Sequence, residues 1–461
     1  MNRERVLELL KKKYLTPIDH PRKHYMGVEI EMPIVNLSGG PADMKVAQAA
    51  AEVLRQKYGF KPDSYDTNGV CYTATRPDNG DNLSFDCSYN NMELSFGKES
   101  NLLLIQERFN EYVKTVNEEL AKSNHIMTGM GVNPAYQVNS TNYIPNERYR
   151  MMGHYMHQDK VWTHIRKVWN DYADFPTFAS ASQVQLDITD TDLIKVLKAA
   201  MLLEPIKSVL LANSAMAGEP DLLLARDWFY EGSTHGINPH NIGMYDCTFD
   251  TPDDLVEYIA SCSIFSTTRN GKFICFEPVP AVEFFARKSI TGDTYEDGEW
   301  KKITFTPEES DLQWLRTYKF ADLTYRGTIE FRSACCQPFK DAFCNAAFHV
   351  GLMEHSDEII DILENDHVMY HHGFSALELR ALMNNKNWPE FIDREGLKKL
   401  CLQILDICRK DLVEHNQGEE VLIECLYERA ESLTSPARRV RNALDAGESL
   451  EPLIREFAAV E

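Results

Sequence analysis

Glu29 and Glu31 lie two residues apart in Gly27-Val-Glu29-Ile-Glu31-Met32, an otherwise apolar run that reads as a half-buried strand. Alternate strand residues point to one face, so both carboxylates look the same way. Two like charges about 4 Å apart repel by roughly 4 kcal/mol at an effective dielectric near 20, which a half-buried strand sustains only beside a neutralising charge. A divalent cation is the simplest neutraliser. The bland alternative is a solvated Glu-x-Glu on an open strand face, and the pair alone does not choose between them.

Three more stretches repeat the pattern. Asn91, Glu93 and Ser95 share one face of a run whose other face is Met92, Leu94 and Phe96. Gln183, Gln185 and Asp187 alternate with Val184 and Leu186, and Arg326, Thr328, Glu330 and Arg332 share one side of a strand over 323–333. If the four polar faces converge, Glu29, Glu31, Glu93 and Glu330 form a cluster that cannot all ionise without metal. Hard oxygen ligands favour magnesium or manganese over zinc. Arg332, on the same face as Glu330, is placed to meet a phosphoryl group that the metals also hold. The expectation is a magnesium-ATP site.

The elements that must position these residues follow from periodicity. Helices are expected over 4–14, 44–58 with Asp43 as its cap, 102–120, 146–152, 192–211, 252–264 and 307–315. Strands are expected over 70–76 and 83–87 around a Pro77–Asp81 turn, then as a short piece from 126 and over 272–276. A loop-rich stretch over 218–250 should cover a site. From about 339 onward the pattern is helical, broken at His371–Gly373, Trp388-Pro389 and Ser435-Pro436. Together these elements predict an α+β protein: one curved, mostly antiparallel sheet with helices on its outer face and a polar concave side. Residues 1–345 are expected to form the catalytic domain and 346–461 a helical C-terminal region packed on it.

Composition narrows the partners. The chain has 461 residues, 43% hydrophobic and 26% charged, with a net charge of -22. That acidity argues against a nucleic-acid or anionic-membrane partner, since either needs a basic face. No apolar run is long enough to span a bilayer and the first residues are a charged helix, so a cytoplasmic location is expected. The 11 cysteines follow no Cys-x-x-Cys or secreted framework. Cys335-Cys336 and the His367, His371, His372 group read as structural and surface features respectively. Gly129-Met-Gly131 lacks the rest of a dinucleotide fingerprint, and there is no phosphate-loop lysine motif, zinc helix or nucleophile elbow. No motif specifies an oligomeric state.

The ordered strings GVEIEM, NNMELS, MGVNP with NERYRMM, SQVQLD with EPI and ANS, and TIEFRSACCQP resemble the glutamate-cysteine ligase family, most of all its plant-type and related bacterial branch. The resemblance runs from about residue 25 to 345 and extends toward Leu433-Thr-Ser-Pro436-Ala-Arg-Arg439. It implies a glutamine synthetase-like catalytic funnel, with ATP as co-substrate and Mg2+ or Mn2+ as the metal. It also implies a reaction: ATP phosphorylates the γ-carboxylate of L-glutamate, and the amine of L-cysteine displaces phosphate, the first step of glutathione-type thiol synthesis. Alternatives are a γ-glutamyl ligase with another amine acceptor, or a non-catalytic metal- or nucleotide-binding homologue. Carried over, Glu29, Glu31, Glu93 and Glu330 look like metal ligands, and Arg332 with Glu330 the groups at the transferred phosphoryl. Arg226 is similar to the arginine that holds glutamate, Arg148 and Tyr149 to the Arg-Tyr at the substrate mouth, and Gln183 to a metal- or substrate-contacting side chain. Two departures stand out. Ser88-Tyr-Asn-Asn91 replaces Pro-Gly-Gly-Gln, and Cys335 replaces an aspartate, changes expected to touch the pocket and the choice of acceptor. Asp86, seven residues before Glu93, is the acidic group expected to stand in nearby.

Overall fold

The architecture rests on a nine-stranded antiparallel sheet, seen in a computed structural model that describes residues 1–460. In chain order its strands are β1 (Met26–Asn36), β2 (Lys61–Tyr65), β3 (Cys71–Thr75), β4 (Asn82–Phe85), β5 (Asn91–Ser95), β6 (His125–Met127) and β7 (Ser182–Asp187). After β8 (Ile242–Gly243) come β9 (Ser263–Arg269), β10 (Lys272–Pro280), β11 (Ile290–Glu296), β12 (Glu299–Phe305) and β13 (Tyr318–Lys319). The last two, β14 (Ala321–Leu323) and β15 (Thr328–Phe331), return to the main sheet. Its order is β14-β15-β7-β1-β5-β4-β3-β2, with β6 paired to the far end of β1.

Alternation sorts the two faces. Val28, Ile30 and Met32 of β1, Met92 and Leu94 of β5, and Val184 and Leu186 of β7 are buried on one side, in a core cluster that reaches from Val6 to Ala458. Helices cover much of this side, and others stand over the polar face. In chain order the helices are α1 (Arg3–Tyr14), α2 (Met44–Tyr58), α3 (Leu102–Ala121), α4 (Glu147–Met156), α5 (Leu193–Leu211), α6 (Ala225–Glu231), α7 (Pro252–Ser261) and α8 (Ala281–Ala286). The C-terminal set is α9 (Cys344–Val350), α10 (Ser356–Glu364), α11 (Ala376–Met383), α12 (Arg394–His415), α13 (Glu424–Ser432), α14 (Pro436–Asp445) and α15 (Glu451–Phe457). Side-chain caps set several starts: Asp43 accepts from the Lys45 amide at α2, and Ser435 from the Arg438 amide at α14. Phe109 of α3 meets Phe343 edge-on at 5.5 Å, locking the helical layer together under β5.

A second, four-stranded antiparallel sheet, ordered β12-β11-β10-β9, faces the polar side of the first. The sequence reading anticipated only part of β10. The expected helix over 252–264 ends at Ser261, and residues 307–315 hold a 3-10 turn (Glu309–Trp314) rather than an α-helix. The missed hairpins carry a local signature all the same. Asn270-Gly271 and Asp297-Gly298 join β9 to β10 and β11 to β12 with φ of 53° and 78°, and 54° and 87°, the left-handed pairs that two-residue hairpin turns require. The expected strand over 323–333 is a hairpin, with Arg326 in the turn between β14 and β15. Within the loop-rich stretch, α6 was also missed, because Leu224 at its start offers no side-chain cap.

A buried ion network pins α5, α6 and α11 together. Arg380 Nε and Nη2 donate to the two oxygens of Asp227 at 2.7 and 3.1 Å, while Nη1 donates to Glu204 Oε2 at 2.5 Å. Glu204 Oε1 accepts from Lys207 at 2.8 Å and from Ser333 Oγ at 3.0 Å. The network thus holds the neighbours of both Arg226 and Arg332. Arg380→Met leaves two buried carboxylates short of their partner, and we expect a loss of about 3–5 kcal/mol in urea unfolding; a loss below about 1 kcal/mol would show the network to be dispensable.

Candidate active site

Strand register builds the site before any side chain is considered. Glu31 pairs across to Glu93, which pairs to Ser84, which pairs to Thr73, so one polar row crosses β1, β5, β4 and β3. Glu29 pairs with Gln183 on one side and Ser95 on the other, and Gln185 pairs with Glu330, which pairs with Asp322. All of these residues except Ser95 and Gln185 line a single cavity of about 940 Å³. Its roof comes from α4, α6 and the second sheet through Met151, Tyr230 and Phe265. The nine residues singled out from sequence, Glu29, Glu31, Glu93, Arg148, Tyr149, Gln183, Arg226, Glu330 and Arg332, all face this one space.

Carboxylate oxygens of Glu29, Glu31 and Glu93 lie within 4.8 Å of one another. Each such pair of full charges repels by about 3–4 kcal/mol at an effective dielectric near 20. Burial, then the neighbouring carboxylates Glu93, Glu330 and Glu31, hold Glu29 well above the usual range. Burial and then Asp86 push Glu31 up to about 7 and Glu93 up to about 8. Glu330 stands one strand over, at the edge of the trio, and its Oε1 accepts from Gln185 Nε2 at 2.7 Å.

The donor set fits a hard divalent cation. Every candidate ligand is an oxygen, and Gln183 supplies a second sign. Its Nε2 donates to Glu29 Oε1 at 2.7 Å and to Glu31 Oε1 at 3.3 Å, while its Oε1 is buried without a partner. An amide carbonyl left unsatisfied beside carboxylates is a fourth oxygen available to an ion. The Ala181 amide fixes Glu31 by donating to its Oε2 at 2.7 Å.

Cations occupy other walls. Arg332 Nη1 donates to Glu330 Oε2 at 2.5 Å, and the Arg332 guanidinium is held firmly charged against Glu330, Tyr230 and Glu29. Arg226 Nη1 donates to the carbonyl of Ala334 at 2.9 Å, and its Nε has no partner. Arg148 makes no hydrogen bond or ion pair among the described residues and lies over the Tyr149 ring at 5.5 Å. Tyr149 donates to Asp86 Oδ1 at 3.3 Å, so Asp86 does stand in the cavity wall beside Arg148.

Several wall residues escaped the sequence reading. Ser84 follows from register with Glu93, and Asp322 lies opposite Glu330 because the run expected as one strand over 323–333 is a hairpin. Tyr230, Tyr318 and His235 carry no periodic signal; the His235 ring packs on Tyr318 at 4.4 Å and burial drives its pKa down to about 3, leaving it a neutral wall. The two sequence departures are structural. Cys335 is buried off the cavity, donating to Ser214 Oγ at 3.4 Å. Asn91 ties β5 to the chain before β7, donating to the carbonyl of Ala179 at 2.9 Å and accepting from Ser180 Oγ at 2.7 Å. Gly129 and Gly131 are packing positions: a Cβ on Gly129 would meet the Gln337 carbonyl oxygen at 2.1 Å and one on Gly131 the Cys335 Cβ at 2.6 Å. His371 and His372 are exposed and bond backbone carbonyls.

No family model matches the chain. Among curated relatives it is 24% identical over 357 residues to the chloroplastic glutamate–cysteine ligase of Brassica juncea, covering 75% of this chain and 63% of that protein. The Arabidopsis thaliana protein of the same name is 24% identical over 357 residues, with 75% and 62% covered. The chain therefore spans under two thirds of the length of these relatives. Among solved structures it is similar to the glutamate–cysteine ligase of Francisella tularensis in complex with AMP, at 10% identity and a TM-score of 0.46 over 95% of this chain and 89% of that one. A likeness to the ligase PafA, in complex with the ubiquitin-like protein Pup, has 9% identity and a TM-score of 0.32, covering 95% of this chain and 67% of that one. Over three quarters of its length the chain is thus similar to plant glutamate–cysteine ligases, and its register gathers the acidic and basic residues of the matching strings into one cavity.

Proposed function

We propose that this chain is an ATP-dependent ligase that joins the γ-carboxylate of L-glutamate to the amine of L-cysteine through a γ-glutamyl phosphate. One observation carries the reading: Glu29, Glu31, Glu93 and Glu330 share a single cavity with Arg148, Arg226 and Arg332. A cavity with clustered carboxylates and separate, underused arginines suits two anionic substrates brought together by metal. Glu29, Glu31, Glu93 and Glu330, with the Gln183 carbonyl, would hold Mg2+ or Mn2+, whose charge would screen the phosphate oxygens against the substrate carboxylate.

The chain's own residues then supply positioning and charge. Arg226, with Nε free, suits the α-carboxylate of glutamate, and Arg148 at the cavity wall suits a second carboxylate. Arg332 faces the phosphoryl group as it moves from ATP to the γ-carboxylate oxygen, with ADP leaving. The amine nitrogen next attacks the acyl carbon; its C–N bond forms as the C–O bond to phosphate breaks, phosphate departs and the amine gives up a proton. Asp86, hydrogen-bonded to Tyr149, lies where an incoming ammonium group would be attracted. Cysteine remains the acceptor of choice because neither Cys335 nor Asn91 presents its side chain to the cavity.

Phosphate or ADP release should require glutamate, a divalent cation and an amine together, with γ-glutamylcysteine found by mass spectrometry. A product built on a different amine moves the acceptor assignment, and no release with any amine overturns the ligase reading. Arg332→Ala should lower kcat by about 10²-fold or more with little change in nucleotide affinity; equal losses in both would make Arg332 a binding group. The acid cluster also sets a pH dependence. Glu31 and Glu93 titrate near 7 and 8 when folded and at 4.5 ordinarily, so the metal-free fold binds more protons than the unfolded chain between these values. Their contribution to stability is full below 4.5 and lost as pH rises through 7 to 8. The melting temperature without divalent ions should fall from pH 5 to 8, and the rise on adding Mn2+ should be larger at pH 8 than at pH 6. A metal-induced shift independent of pH would separate the cation from these carboxylates.

A further inference from the structure

The cavity is not uniform along its length. Across the trio of β1 and β5 the walls are acidic, but the end that reaches the sheet edge at β14 collects cations from separate parts of the chain: Lys13 of α1, Arg316, Arg326 and Arg332. In a chain with a net charge of -22, four cations at one mouth need an explanation. Arg332 is paired with Glu330, and Arg326 Nε donates to Gln185 Oε1 at 3.1 Å. The other two lack carboxylate partners. Lys13 Nζ donates only to the carbonyl of Leu312, at 2.9 Å, and among the described residues the Arg316 guanidinium makes no hydrogen bond or ion pair. Asp322 also lines this end, and its Oδ2 accepts from Thr317 Oγ1 at 2.5 Å.

We propose that Lys13 and Arg316 bind the phosphates of the nucleotide that are not transferred, which makes the β14 edge of the cavity its nucleotide end. The inference rests on the ligase reading and goes beyond it by naming residues and an orientation. The transferred phosphoryl lies at Arg332 and Glu330; the remaining polyphosphate then runs outward past Lys13 and Arg316, cations without a carboxylate partner on the wall away from Arg148 and Arg226. Trp314 and Tyr325 line the same end and offer aromatic surface next to it. Glutamate and the amine are left the acidic and Arg148–Arg226 part of the cavity, so the two anionic substrates approach the metal cluster from opposite sides. The Lys13–Leu312 bond also couples α1 to the Glu309–Trp314 turn, so the N-terminal helix acts as part of the nucleotide pocket. Like charges held together are tolerated there because a polyanion brings them the missing partner. Burial and the adjacent Arg316 lower the Lys13 pKa to about 8, in keeping with a cation that waits for an anion.

The test compares nucleotides on the full chain with Mn2+ present, by isothermal titration of ADP and of adenosine. Lys13→Met and Arg316→Met should each weaken ADP binding by about tenfold or more while changing adenosine binding less than about twofold. Lys13→Arg should restore most of the ADP affinity, and melting temperatures should stay near that of the parent. Under turnover the same variants should raise the KM for ATP and leave that for glutamate unchanged. The proposal is overturned if ADP affinity is unchanged in both variants, if adenosine and ADP affinities fall together, or if the parent does not bind ADP. Failure of the ligase reading looks different: the parent would distinguish ADP from adenosine, the variants would lose that distinction, and no amine would support phosphate release.

Discussion

Three carboxylates brought within 4.8 Å on a walled sheet face are the constraint to which everything else answers. Antiparallel register brings this about without any loop: Glu31 lies directly opposite Glu93, and Glu29 opposite Gln183. Such an arrangement costs several kcal/mol of repulsion and desolvation, and it persists only because the hydrophobic face of the same strands is packed against α3, α5 and α9. The apolar half of β1, β5 and β7 stabilises what the polar half opposes.

Counter-charge is supplied in two tiers. Arg332 approaches Glu330 directly, whereas Arg226 is carried by α6 and held by backbone carbonyls, which leaves its charge available. Behind both lies the Arg380 network, whose members belong to α5, α6 and α11 and to Ser333 next to Arg332. The C-terminal helices therefore matter to the site through placement. A displaced Asp227 moves Arg226 with it, since the two are adjacent on α6.

The second sheet turns an open face into a cavity. Its two hairpins turn at Asn270-Gly271 and Asp297-Gly298, and its strands contribute Phe265, Ser266 and Phe273 to the roof. Excluding bulk water on that side raises the strength of every charge interaction beneath it and explains why Glu31 and Glu93 keep their protons to about 7 and 8. Proton uptake at the trio thus relieves the same repulsion that the proposed divalent cation would relieve.

The four acidic positions and Arg332 were legible from alternation alone, because a period of two fixes which side chains share a face whatever the partner strand is. The main helices were legible from their apolar period and from caps such as Asp43. The resemblance of ordered strings added Arg226, Arg148 and Tyr149, residues whose local sequence carries no chemical mark, and a role for Gln183, whose face alternation had already set. What local pattern could not supply was pairing. Nothing in Ser84 or Asp322 points to Glu93 or Glu330, since cross-strand neighbours are set by register across separations of 9 and 8 positions along the chain. The second sheet was missed although Asn270-Gly271 and Asp297-Gly298 marked its turns, and the departures at Asn91 and Cys335 were read as pocket residues because exposure is not written in residue type. Sequence by itself determined which residues have the charge and the strand phase to bind metal and phosphate. Only the tertiary structure decided which of them meet, that Cys335 faces away, and that Lys13 from the first helix closes the far end, because distance across a sheet depends on pairing and not on separation along the chain.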